Sequence, residues 1–239
     1  MIRVTVWNEY ILEKEYPHIE AIYPKGIHEA IADIYREESE FEVTGVSLDM
    51  PHQGLDTELL DKTDVLIWYG HMVHEQVEDD LVERIKRRVW DGMGLLILHS
   101  SAQSKVFDRI LGTTGEVRWR EIGEKERVWV VNRSHPIAQG LNMCFEIPHS
   151  EMYGEPFEIP APDDLVFISW YAGGDVLRSG CCYHRGGGRV FYFAPGHEEY
   201  PIYYQDEIRL VMKNAARWAA PGTGVKVSFG NVDTLEAVE

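Results

Sequence analysis

The stretch that most constrains this chain is Gly94-Leu95-Leu96-Ile97-Leu98-His99-Ser100-Ser101-Ala102. Four aliphatic residues in a row, set off by Gly92 and Gly94, predict a short strand buried on both faces. Ser100 or Ser101 is placed to cap a helical segment from Ala102 to Leu111. His99 therefore falls on a sharp strand-to-helix turn at the carboxyl end of a parallel strand. That is the edge at which open α/β sheets bind ligands. Enzymes with a nucleophile elbow carry Ser or Cys at such a turn, and here the residue is histidine.

The elements before it repeat the same logic. Ile2 to Trp7, Phe41 to Val46 and Val65 to Trp68 read as strands. Ile27, Ala30, Ile31, Ile34 and Tyr35 mark one amphipathic helix, and Leu81, Ile85 and Val89 mark another. Leu55 to Leu60 is a weaker helical turn. Asn8 to Gly26, with Pro17 and Pro24, reads as a long connection of the kind that serves function or an interface. This alternation predicts an α/β fold with a doubly wound, mostly parallel, flavodoxin-like sheet.

After Gly112 the pattern becomes antiparallel. Val117 to Arg120 and Val128 to Val131 read as a pair, Cys144 to Ile147 as a short strand, and Leu165 to Trp170 as another. Leu177 to Tyr183 and Arg189 to Phe193 flank Arg185-Gly186-Gly187-Gly188, a hairpin rather than a phosphate cradle. The last helix buries Ile208, Val211, Met212, Ala215 and Ala219 before Pro221 and Gly222 stop it. Residues 1–220 are thus expected to form one domain. Residues 221–239 are expected to be a tail, with a strand over Val225 to Phe229, packing on this chain or on a neighbouring subunit of a homo-oligomer.

Charge narrows the partners. With 23 Lys plus Arg against 40 Asp plus Glu, the net charge is −17, which argues against nucleic acid and against an anionic membrane surface. No apolar run is long enough to span a bilayer, and the start lacks a signal-peptide pattern. Cys144, Cys181 and Cys182 are a poor disulfide framework, so a reducing, cytoplasmic setting is expected.

Four of the ten histidines lie in turns that leave strands: His71, His99, His149 and His197. Glu151 follows His149 by two positions and is the stronger of that pair. The strand ends of a doubly wound sheet share one rim, so these side chains are candidates to meet there. Imidazole with carboxylate suits Zn²⁺, Fe²⁺ or Mn²⁺, and zinc is the expected ion. His71, His99, His197 and Glu151 are the candidate metal ligands. The competing reading makes His99 a buried turn histidine that holds backbone. His135 reads as a turn residue, and His18, His52, His74 and His184 as surface. No G-x-G-x-x-G follows the first strand, and Ser100 and Ser101 lack the glycines of G-x-S-x-G, which leaves a serine hydrolase as a minor alternative.

Several blocks, taken in order, carry a family resemblance: Tyr23-Pro24-Lys25-Gly26-Ile27-His28-Glu29-Ala30-Ile31, Tyr69-Gly70-His71, Leu98-His99-Ser100-Ser101, Glu151-Met152-Tyr153-Gly154-Glu155-Pro156-Phe157, Gly196-His197-Glu198 and Phe229-Gly230-Asn231-Val232. Together they resemble the trehalose-utilisation (ThuA-like) family, whose fold is similar to that of class I glutamine amidotransferases. In those enzymes a Cys occupies the elbow, and a His with a nearby Glu follows a late strand. His99 falls at the elbow here, and His197 with Glu199 resembles the His/Glu pair. The resemblance implies the fold and a disaccharide, oxidised to a keto-sugar, as substrate. The missing thiol implies no glutaminase activity. The reading is a metal-assisted isomerase or hydrolase of sugar catabolism, with His99, His197, Glu151 and Glu199 catalytic. His28, Tyr153 and Trp68 are the candidate substrate contacts. The alternative is a non-catalytic sugar-binding or regulatory protein on the same fold.

Overall fold

In a computed structural model, residues 1–222 and 230–237 are described. The first half alternates β1 (Ile2–Asn8), α1 (Leu12–Glu15), α2 (Pro17–Ile22), α3 (Ile27–Arg36), β2 (Phe41–Ser47), α4 (Thr57–Lys62), β3 (Val65–Tyr69), α5 (Asp79–Trp90) and β4 (Gly94–Leu98). Next come α6 (Lys105–Leu111), β5 (Val117–Val130), β6 (Cys144–Phe157), β7 (Asp164–Tyr171), β8 (Val176–Arg185), β9 (Gly188–Phe193) and α7 (Asp206–Ala219).

One nine-stranded sheet orders these strands β2-β1-β3-β4-β9-β8-β7-β5-β6. Pairing is parallel from β2 to β9 and antiparallel from β9 to β6. Parallel pairing therefore accounts for half of the sheet, not most of it. The joint is β9, which returns from a tight hairpin with β8 and still runs parallel to β4. Because β1 leads to β2 on one side and β3 lies on the other, the sheet switches direction beside β1. The ligand edge is expected there.

The four aliphatic residues of β4 show why this strand is central. Leu96 and Leu98 join the core under α3 and α7, while Leu95 and Ile97 join the core under α5 and α6. Side chains alternate across a strand, so a continuous apolar run fills both layers at once.

Three elements differ from the sequence reading. Val117 to Arg120 and Val128 to Val131 are not a pair: the first and most of the second are the two ends of β5, whose partner is β6. Nor does β6 stop at Ile147; it continues through Pro148 to Phe157. A register shift between Arg120 and Glu124, with Gly123 at φ 67°, bends the pair and hides its strand periodicity. β6 is an edge strand, where Pro148 withholds no ladder hydrogen bond that the sheet needs. Finally, Ser104, not Ser100 or Ser101, caps α6, its hydroxyl accepting from the Phe107 N–H at 3.2 Å.

The connection from Asn8 to Gly26 holds the short helices α1 and α2. The strand expected over Val225 to Phe229 lies outside the described residues. In the tail, Val232 and Leu235 are exposed. Among the described residues no helix is long and apolar enough to cross a membrane.

Candidate functional site

His99 follows β4 directly and adopts φ 50°, a left-handed conformation that costs a non-glycine residue energy. The expected sharp turn is present, and the structure around it holds it. Ser100 and Ser101 Oγ donate to the Gly70 carbonyl at 2.9 and 3.2 Å, and the Gly70 N–H donates to Ser101 Oγ at 2.6 Å. These bonds tie the turn after β4 to the turn after β3. Both hydroxyls are thereby committed to Gly70, which disfavours a serine nucleophile.

The His99 ring is 1% exposed and stacks on Tyr153 of β6, with centroids 4.7 Å apart and planes within 4°. Its Nδ1 lies 2.9 Å from the Ala194 carbonyl, so Nδ1 carries a hydrogen. Its Nε2 lies 2.9 Å from Glu151 Oε2. An imidazole lone pair and a carboxylate do not attract one another at that distance; a proton or another cation must lie between them. Burial works to raise the Glu151 carboxyl, but the bond and charge of His99 outweigh it and hold the group below its ordinary range.

A second histidine–carboxylate pair stands beside the first. His71, two residues past β3, places Nδ1 2.9 Å from Glu198 Oε2, and the Tyr69 hydroxyl donates to the same oxygen at 2.8 Å. Burial opposes a charge on Glu198, yet His71 prevails and brings its carboxyl down to about 2. The same pairing overcomes burial to raise His71.

His197 sits between the two pairs. Its ring centroid is 5.4 Å from each of the other two imidazoles. Burial is the main reason that its pKa falls to about 4, with Glu198 only partly offsetting it. Its Nδ1 accepts from the Glu199 N–H at 3.2 Å, so the neutral ring carries its hydrogen on Nε2. That nitrogen faces Glu121 Oε2 and Glu151 Oε2 at 3.7 Å and Glu198 Oε1 at 3.9 Å.

Of the expected site residues, the structure brings together His71, His99, His197, Glu151 and Tyr153. Glu199 is not among them: it faces solvent and pairs with His18 at 3.3 Å. The carboxylate in the site is its neighbour Glu198, because the backbone turns at His197, φ 126°. Trp68 is core, stacked flat on Trp7 at 3.7 Å, since the parallel register sets these two residues side by side. His28 is buried against Tyr10 at the start of α3, away from the three clustered imidazoles. His149 is exposed and bonded to the Gly123 carbonyl. His74 was expected at the surface, but it is half-buried beside Glu9. His135 is the expected turn residue, accepting from the Ile137 N–H.

Glu9 and Glu121 had no motif to single them out, while Glu198 lies in the Gly196-His197-Glu198 block, where the resemblance points to Glu199 instead. Glu9 had a positional signal only, as the first residue past β1. It is buried and accepts the N–H groups of Met72 and Val73, which pins the loop after His71. Glu121 comes from the irregular part of β5 and accepts from the Tyr200 hydroxyl.

Two sets of three donors have ligand atoms within 4.8 Å of one another: His99, Glu151 and His197, and His71, His197 and Glu198. A cavity of about 300 Å³ opens onto this cluster. Its lining is polar at His71, Ser100, Gln103 and Glu151 and apolar or aromatic at Met72, Val117, Trp119 and Tyr153. The three cysteines are elsewhere: Cys144 begins β6, and Cys181 and Cys182 are buried in β8, where burial pushes the Cys181 thiol up to about 12.

The fold has solved counterparts. A protein from Parabacteroides merdae described as ThuA-like matches with a TM-score of 0.68 at 16% identity, covering 94% of this chain and 92% of that one. A cytoplasmic protein of Salmonella typhimurium matches at 0.62 and 12%, covering 92% of this chain and 100% of that one. A chain of PurLQS from Thermotoga maritima matches at 0.56 and 15%, covering 91% and 98%. No match is found among curated proteins. The family model for ThuA, trehalose utilisation, matches residues 3–219, and the chain therefore belongs to the ThuA family.

Proposed function

We propose that this protein is an enzyme of sugar catabolism that moves protons at the carbonyl of a keto-sugar, by isomerisation or hydrolysis. The observation that carries this reading is the two histidine–carboxylate pairs, His99–Glu151 and His71–Glu198, which stand side by side at the sheet rim and reach one cavity through Glu151 and His71. The family supplies the sugar. Glu198, itself held by Tyr69, accepts from His71 Nδ1 and leaves Nε2 as the acceptor nitrogen of a ring that lines the cavity. That arrangement makes His71 a general base. Glu151 lines the same cavity and shares a hydrogen with His99, which makes this pair the proton donor.

The donor set also fits a divalent ion in part, with zinc as the first candidate. His99 and Glu151 fit with the ion in place of the hydrogen between them: Nδ1–H on the Ala194 carbonyl turns Nε2 toward Glu151 as a ligand, the usual orientation of a ligating histidine. His197 joins them only if its bond from the Glu199 N–H opens. When bound, such an ion polarises a carbonyl or activates a water. The three free thiols suit a reducing, cytoplasmic setting.

The test is to incubate the protein with a keto-disaccharide made by oxidising trehalose and follow the sugar by NMR, with elemental analysis of the same sample. An isomer or two monosaccharides is expected, with divalent ion present. An unchanged sugar overturns the enzyme reading, and full turnover by ion-free protein overturns the metal alone. Glutamine in the same assay is expected to release no ammonia, because a histidine holds the elbow.

A further inference from the structure

Trp119 is 64% exposed, yet it lines the cavity that opens onto His71 and Glu151. It lies on β5 directly opposite Tyr153 on β6. Directly opposed residues of an antiparallel pair project from the same face, with Cβ atoms about 4.5–5.5 Å apart. Tyr153 in turn stacks on His99. Trp119 at the solvent side, Tyr153 opposite it and the buried His99 thus set three ring side chains in sequence from the cavity mouth to the elbow.

The rest of the lining is of two chemical kinds. Met72, 54% exposed, and Val117 add apolar surface, while His71, Ser100, Gln103 and Glu151 add polar groups. Among the described residues no Lys or Arg lines the cavity. A phosphate or carboxylate would meet no guanidinium or ammonium there, and the buried Glu151 carboxylate would oppose it. A neutral polyol with one face of C–H groups suits both kinds of lining. Those hydrogens are weakly positive and suit the negative face of an indole, and the hydroxyls meet imidazole, amide and carboxylate. The cavity is of the size at which small-molecule sites begin, roughly 300 Å³.

We infer that Trp119 is the stacking platform for the ring of a pyranose, and that the cavity between Trp119 and Glu151 takes a sugar in its cyclic form. This rests on the sugar reading above but not on the reaction assigned there.

The test is calorimetric titration with trehalose and methyl α-D-glucopyranoside, and with glucitol as an open-chain polyol, on wild type, Trp119→Ala and Trp119→Phe. Both cyclic probes are expected to bind more tightly than glucitol. Trp119→Ala is expected to lose at least about tenfold in affinity for them, and Trp119→Phe to recover most of it. Equal binding by Trp119→Ala, equal binding of glucitol, or no binding of a cyclic probe by wild type overturns the inference. A lower solution mass for Trp119→Ala also overturns it, by showing that this side chain covers a subunit contact. Turnover on the same samples separates the two readings. Trp119-dependent binding without turnover keeps the platform and removes the enzyme; turnover with KM unmoved by Trp119→Ala does the reverse.

Discussion

Gly196 lies so close to His99 that a Cβ built on it would stand 2.6 Å from the His99 Cβ and 2.9 Å from the Tyr203 hydroxyl. The loop after β9 and the turn after β4 touch backbone to side chain, and only a residue without a Cβ lets them. Gly196→Ala is expected to displace His99 and cost about 1–3 kcal/mol, as overpacked cores do. Thermal unfolding and turnover should fall together. An unchanged melting temperature with full activity would show that the loop yields without moving His99.

His99→Ala strips Glu151 of its partner and the Ala194 carbonyl of its donor. Stability is expected to fall by about 1–3 kcal/mol, the cost of unpaired buried groups. Bound metal and activity are expected to fall as well, in protein that remains folded by circular dichroism. Normal metal content in that folded variant would leave His99 a purely structural residue.

Glu126 offers a pH test away from the cluster. It is fully buried on β5, held by the hydroxyls of Ser169 at 2.5 Å and Ser150 at 2.8 Å. Burial raises its pKa more than those bonds lower it. The unfolded chain therefore gives up this proton first. The contribution of Glu126 to stability is full below the unfolded carboxyl value, near about 4.3, and declines as pH rises through the folded value. Glu126→Gln keeps the shape without the charge. It is expected to melt higher than wild type at neutral pH, with the gap closing below pH of about 4. A gap that persists or widens in acid would contradict this sign.

The tail tests assembly. Val232 and Leu235 are exposed in the single chain, Leu235 fully so. Removing the residues after Pro221 is expected to lower the solution mass measured by light scattering or to lower the melting temperature. Neither change would leave the tail without a packing role.

What was legible in the sequence was local. The both-faced burial of β4 is written in Leu95 to Leu98, and the turn at His99 in the abrupt end of that run. The α3 stripe and the β8–β9 hairpin are likewise carried by neighbouring residues. The interruption at Gly123 and Pro148 misled the same reasoning, because a bulged edge pair loses its period without ceasing to be a sheet.

Tertiary structure decided which side chains meet. His99 and Glu151 are 52 positions apart, and His71 and Glu198 are 127 apart. They meet because β9, arriving last, inserts beside β4, while β6 folds back against the rim. The same packing turned Trp68 inward onto Trp7 and left Trp119 at the cavity mouth, and it chose Glu198 over Glu199 by one twist of backbone at His197. Residue type and spacing state what chemistry a side chain offers. Only the order of strands in the sheet states which other side chain it is offered to.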